Sequence, residues 1–117
     1  SSNIEDNLMF ANDIGYAGHS SNDGILLTNL FKANELAGAT FINSRNYEIS
    51  QNTIQGSVNG IFLDSQSREN NINSNNVLQN TGVDLNNANG LPVESTDNTY
   101  LDNNCNTSVP DGLCLGR

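Results

Sequence analysis

Few side chains in this chain combine the types and spacing that chemistry needs. Glycoside hydrolysis wants two carboxyl groups set across a scissile bond, and the only adjacent acidic pair, Glu5-Asp6, has no partner base beside it. Structural zinc wants four thiolate or imidazole ligands, and Cys105, Cys114 and a single, distant His19 are the soft donors at hand. No hydroxyl or thiol stands in a recognisable nucleophile–base arrangement. The cysteines make better sense as a Cys105–Cys114 disulfide. It would close a loop of about ten residues, worth roughly 2–3 kcal/mol in the chain-entropy account, and would belong to an oxidising, extracytoplasmic setting. No catalytic residue is assigned, and the chain leans away from being an enzyme.

What must position these residues is a repeat. An apolar residue, two others, an asparagine, one more residue and a second apolar position recur as Ile4-x-x-Asn7-x-Met9, Phe31-x-x-Asn34-x-Leu36, Ile49-x-x-Asn52-x-Ile54, Ile72-x-x-Asn75-x-Val77 and Tyr100-x-x-Asn103-x-Cys105. Glycine-led alternating runs open at Gly24, Gly38, Gly60, Gly82 and Gly112. Units of this length, each with short alternating stretches, predict a β-solenoid. The fold class is therefore all-β: a short parallel β-helix of about five rungs stacked ~4.8 Å apart, with residues 1–117 as one domain. Strand alternation points Ile25 with Leu27, Ile61 with Leu63, and Val83 with Leu85 inward. It points Leu26, Thr40, Phe62, Asp84 and Cys114 outward. Asn7, Asn34, Asn52, Asn75 and Asn103 form a stacked structural ladder of amides at a turn.

Two stretches depart from the repeat and read as insertions, Asn12 through Asp23 and Asn86 through Asp97, the second with a turn at Asn89-Gly90. Leu26, Thr40 and Phe62 on consecutive rungs would make an apolar strip beside the first insertion. Tyr16, His19 and Phe62 are thus the candidate ligand-binding residues, suited to sugar rings or to a second protomer. Residues 105–114 form a disulfide-closed terminal plug. At the other end the pattern begins at once with Asn3-Ile4 and no capping element, which leaves apolar cross-section and strand edges open. The stretch is accordingly expected to be the C-terminal part of a longer chain, or else to stack on another subunit.

Charge narrows the partners. A net charge of −9, with Lys32, Arg45, Arg68 and Arg117 as the only cations, argues against nucleic acid and anionic membrane surfaces, which both need clustered basic residues. No apolar run is long enough to span a bilayer. The 23 asparagines suggest disorder by composition, but the fixed offsets of the apolar residues argue for a fold. The expected partners are further copies of the chain or other surface proteins, with hydroxyl-rich polysaccharide as the ligand class that an amide-rich wall suits.

The run Ile49-x-x-Asn52-x-Ile54 with Gly60-Ile61-x-Leu63-x-Ser65 resembles the parallel β-helix repeats of the NosD and pectate-lyase-like group. The segment Cys105–Cys114 is similar to the C-terminal end of many secreted bacterial members. The resemblance implies a right-handed parallel β-helix with three faces and an extracellular or cell-surface location. It leaves function open, because such repeats serve enzymes, adhesins and surface proteins alike. For a lyase it implies an arginine base and aspartate-held calcium: Arg45 or Arg68 as base, Asp64 and Asp84 as calcium candidates on neighbouring rungs. Asn22-Asp23-Gly24 and Gly18-His19 resemble polygalacturonase fragments in the wrong order, without the double aspartate. Copper, which the NosD name implies, wants clustered Cys, His or Met, and one His with one Met makes no cluster. No metal site is assigned and no cofactor is expected, calcium being the one candidate. The functional expectation is a secreted or cell-surface structural or adhesive module. The alternative is a carbohydrate-binding module or a fragment of a polysaccharide lyase or hydrolase.

Overall fold

The computed structural model describes residues 3–88 and 98–114. Each rung lays down one short strand per face. The first rung contributes β1 (Asn3–Glu5), β2 (Leu8–Phe10) and β3 (Ile14–His19); the second β4 (Ile25–Leu27), β5 (Leu30–Lys32) and β6 (Ala37–Ile42). The third contributes β7 (Glu48–Ser50), β8 (Thr53–Gln55) and β9 (Asn59–Leu63); the fourth β10 (Asn71–Asn73), β11 (Asn76–Val77) and β12 (Val83–Asn87). The last holds β13 (Thr99–Leu101), β14 (Asn104–Cys105) and β15 (Ser108–Val109). They stack into three five-stranded parallel sheets: face A with order β1-β4-β7-β10-β13, face B with β2-β5-β8-β11-β14 and face C with β3-β6-β9-β12-β15. The all-β parallel solenoid predicted from the repeat is the observed fold.

The two- and three-residue strands of faces A and B follow from the apolar spacing, since one residue of each points inward. Face A stacks Ile4, Leu26, Ile49, Ile72 and Tyr100. Face B stacks Met9, Phe31, Ile54, Val77 and Cys105. Face C contributes Ala39 with Phe41, Ile61 with Leu63, and Leu85, all buried in the shared core. Each fully buried Ile or Leu contributes about 1.5–3 kcal/mol relative to exposure. The prism is therefore held by like residues packing on like, rung after rung.

The A-to-B corner shows why asparagine recurs. The residue before it adopts a left-handed conformation in every rung: Asp6, Thr28, Gln51, Ser74 and Asp102 have φ between 55° and 57°. That single residue turns the chain, and the asparagine then satisfies the corner. Asn52 shows the pattern: its Oδ1 accepts the Asn29 backbone N–H at 2.9 Å, and its Nδ2 donates to the Leu26 carbonyl at 3.0 Å and to Asn75 Oδ1 at 3.0 Å.

The ladder runs Asn7, Asn29, Asn52, Asn75, Asn103, joined by backbone-to-amide bonds of 2.9–3.1 Å. Asn29, and not Asn34, is its second-rung member. Asn34 is buried in a second ladder at the B-to-C corner, where its Oδ1 accepts the Asn12 N–H at 3.0 Å and its Nδ2 donates to the Met9 carbonyl at 3.0 Å. A third ladder at the C-to-A corner links Tyr47, Asn70 and Asn98.

The corrected register moves other residues too. Gly24-Ile25-Leu26-Leu27 is a face A strand, so Leu26 is fully buried while Ile25 is 39% exposed and Leu27 half-buried, the reverse of the alternation expected. The stretch from Asn12 to Asp23 is not an insertion, because it carries β3, which pairs with β6 from Ile14↔Ala37 to His19↔Ile42. In the fourth rung Leu85 aligns with Ile61 and Val83 with Asn59, which leaves Val83 half-buried. The intervening Asp84 is buried, and so is Cys114 in the plug; both were expected outward. Thr40 and Phe62 are the outward residues that stay on face C. The turn expected at Asn89-Gly90 and most of the second insertion lie outside the described residues.

Face C has room for its longer strands because glycines line its entry. A Cβ on Gly38 would stand 2.8 Å from the Gly60 carbonyl oxygen, and one on Gly15 would stand 2.5 Å from the Gly38 oxygen and 2.7 Å from the Phe31 ring. No side chain fits at these positions without moving a neighbouring rung.

Candidate functional site

The outer wall of face C carries the clearest surface feature. Ala17, Thr40, Phe62, Asn86 and Val109 stack in one outward column. His19 lies two residues beyond Ala17 and pairs with Ile42. The half-buried Phe62 ring belongs to this wall, and Asn86 pairs with Phe62 from the next rung, its amide 3.5 Å from that of Asn59. Among the expected ligand residues, Phe62 and His19 share this wall at different rungs. Tyr16 does not. Its ring turns inward against Phe41 (centroids 5.7 Å apart) and Tyr47 (6.3 Å), and the two tyrosine hydroxyls stand 2.8 Å apart. Burial, with the Tyr47 hydrogen bond and charge adding to it, raises the Tyr16 phenol well above its ordinary value, so it stays protonated. Leu26, buried in face A, is no part of the strip.

The structure also separates the two aspartates considered for calcium. Asp64 sits in the turn after β9, where its Oδ1 accepts the Asn43 N–H (3.0 Å), the Gln66 N–H (3.2 Å) and the Ser67 hydroxyl (2.9 Å). Asp84 points inward beneath the last rung. Its Oδ1 accepts Asn80 Nδ2 at 2.9 Å, while its Oδ2 accepts the backbone N–H groups of Asn106 (2.9 Å) and Thr107 (3.2 Å). Both carboxylates serve as backbone clamps, and their oxygens do not converge. Among the described residues no group of three His, Cys, Asp or Glu side chains lies close enough to hold a metal ion. Arg45 and Arg68 stack on neighbouring rungs after Asn22, through isolated bridges at the corner between faces C and A.

The two ends of the column differ. At the last rung the Cys105–Cys114 disulfide, with Cα atoms 5.2 Å apart, folds Leu113 and Cys114 over the interior. A cleft of about 560 Å³ opens beside this plug, lined in part by Gly82, Val83, Thr107, Val109 and Asp111. At the first rung Ile4, Met9 and Tyr16 are only partly buried. There the Asn7 amide folds back, its Nδ2 donating to the Glu5 carbonyl at 2.9 Å, and among the described residues no donor reaches its Oδ1. Leu8 (63% exposed) and Phe10 (56%) flank the same edge on face B.

The chain matches the sequence model of a family described as periplasmic copper-binding protein (NosD) over residues 1–114. It belongs to the NosD family. No curated protein and no solved structure matches it. The NosD family is by that description periplasmic, which agrees with a disulfide and with the extracytoplasmic location expected from it. No helix among the described residues is long and apolar enough to cross a membrane.

Copper is a separate matter. It is held by thiolates, thioethers and imidazoles, and here the cysteines are joined to each other, Met9 packs against the interior, and His19 stands on the outer wall beside Ser20. The donors present do not fit a copper centre.

Proposed function

We propose that this NosD-family coil acts as a rigid, non-catalytic structural or adhesive module outside the cytoplasm that associates with further copies of itself. The exposed apolar residues Leu8 and Phe10 of β2, on a coil otherwise walled by polar side chains, carry this reading. In the inner rungs each asparagine Oδ1 accepts an N–H from the rung before it, and each Nδ2 donates to a carbonyl there. The last rung is stapled by a disulfide.

Light scattering after gel filtration, combined with hydrogen exchange, tests the proposal. The expected result is a particle heavier than the monomer, with slow exchange in β1 and β2 and dissociation on Phe10→Lys. A monomer at every concentration with fast exchange along the first rung would count against it.

A second reading rests on the Phe62 wall. An aromatic ring with amides beside it suits a sugar ring, which stacks on the face and bonds to the rim. A glycan panel tests this, with saturable binding lost in Phe62→Ala as the positive result. Product release from a polysaccharide, abolished by Arg45→Ala or Arg68→Ala, would replace both readings with an enzymatic one.

A further inference from the structure

We infer that residues 1–117 hold no copper site and that this coil is indifferent to the metal in its family's description. The whole sequence offers one His, one Met and two Cys as copper-selective donors. The fold keeps them from converging. Cys105 and Cys114 are bonded to each other inside the last rung, and no cysteine is free. Met9 and His19 lie on opposite sides of the β wall. Met9 is the middle residue of β2, directed inward and stacked on Phe31. His19 ends β3 on the exposed outer wall, its Nδ1 3.4 Å from the Ser20 hydroxyl. A side chain inside the prism and one outside it cannot share an ion without opening the first rung.

The remaining donors are oxygens. Inner-rung ladder amides such as Asn52 and Asn75 already accept backbone N–H groups, as do the carboxylates of Asp64 and Asp84. A copper(II) ion at His19 would therefore meet one imidazole and solvent, without the several nitrogen or sulfur ligands that make a selective site. The interior is filled by side chains, and its corners are closed by amide ladders and backbone clamps. This inference is independent of how the first rung is used.

The experiment uses the full 117-residue chain with its disulfide intact, dialysed against copper(II) chloride and then against a competing amino acid. A second sample is given copper(I) under anaerobic conditions. Retained metal, electron paramagnetic resonance and Tm are read together. The expected result is no stoichiometric retention of either oxidation state, no protein-bound copper(II) spectrum, and a Tm unchanged by ~100-fold excess metal, where a site of matching affinity would raise it. One retained equivalent of copper(II) with nitrogen ligation would overturn the inference. If His19→Ala removed it, the site would be built on that imidazole. Stoichiometric copper(I) retained by the unreduced chain would overturn it equally.

Discussion

Asn52 does three things that no other small side chain does at once: it accepts a buried N–H, donates to a buried carbonyl and passes the amide bond to the next rung. Removing it leaves several buried polar groups unpaired at about 1–3 kcal/mol each. We expect Asn52→Ala to lower unfolding stability by at least about 3 kcal/mol in urea titration. The exposed Asn7→Ala should cost well under half of that.

The second ladder supplies the converse case. Asn12, Asn34 and Asn80 hold the B-to-C corner, but its third-rung place is taken by Ser57. The Ser57 hydroxyl is the one buried side-chain polar atom without a partner among the described residues, although its N–H donates to Asn80 Oδ1 at 3.0 Å. Serine is too short to reach the rung before it. Ser57→Asn should complete the ladder and raise stability by about 1–2 kcal/mol, visible as a higher urea midpoint at an unchanged slope.

At the scale of the element, each strand triplet has one apolar residue facing inward, and its neighbours are rungs rather than sequence-local partners. That is why the sequence pattern points to Asn34 for the second rung where the structure places Asn29. Leu26-x-x-Asn29-x-Phe31 and Phe31-x-x-Asn34-x-Leu36 satisfy the same pattern, because the A-to-B and B-to-C corners both place an asparagine after a left-handed residue, Thr28 and Ala33 respectively. Pattern alone cannot separate two corners of one triangle. The constant step does, since true ladder partners lie 22, 23 and 23 residues apart over the first four rungs. Elements also set where a local lesion spreads. In a stacked coil each rung contacts only its neighbours, so replacing both Cys105 and Cys114 with serine should cost about 2–3 kcal/mol. Amide exchange should rise first in β13, β14 and β15 and leave β4 to β9 protected. A loss of protection spread evenly along the chain would contradict that locality.

The whole molecule is a polar wall around an apolar and aromatic interior, with net charge −9. Its partly buried phenols tie stability to alkaline pH. Burial raises the Tyr100 hydroxyl well above its ordinary 10.0, and it donates to Asn87 Oδ1 at 2.9 Å; Tyr16 is raised by burial and by Tyr47. The unfolded chain releases these protons near the ordinary value while the folded chain keeps them. Their contribution is therefore complete below about pH 10 and is lost as pH rises above it. We expect stability to fall above that pH, with phenolate absorbance from Tyr100 appearing together with loss of the β-sheet dichroism. Tyr100→Phe should flatten the decline. A Tyr100 transition in the folded protein at its ordinary value would show that the ring is not sealed.

The sequence by itself determined the repeat, the all-β solenoid and the disulfide plug, because each depends on residue type at a fixed offset. It also counted the copper-selective donors as one His, one Met and two Cys. Tertiary structure decided which asparagines share a ladder, that Asn12 to Asp23 is a strand-bearing wall, that Tyr16 faces inward, and that Asp64 and Asp84 clamp backbone instead of facing each other. These are questions of which rung lies above which. In a parallel coil the contacts that settle them join residues more than 20 positions apart, so only the stacked register makes neighbours of them.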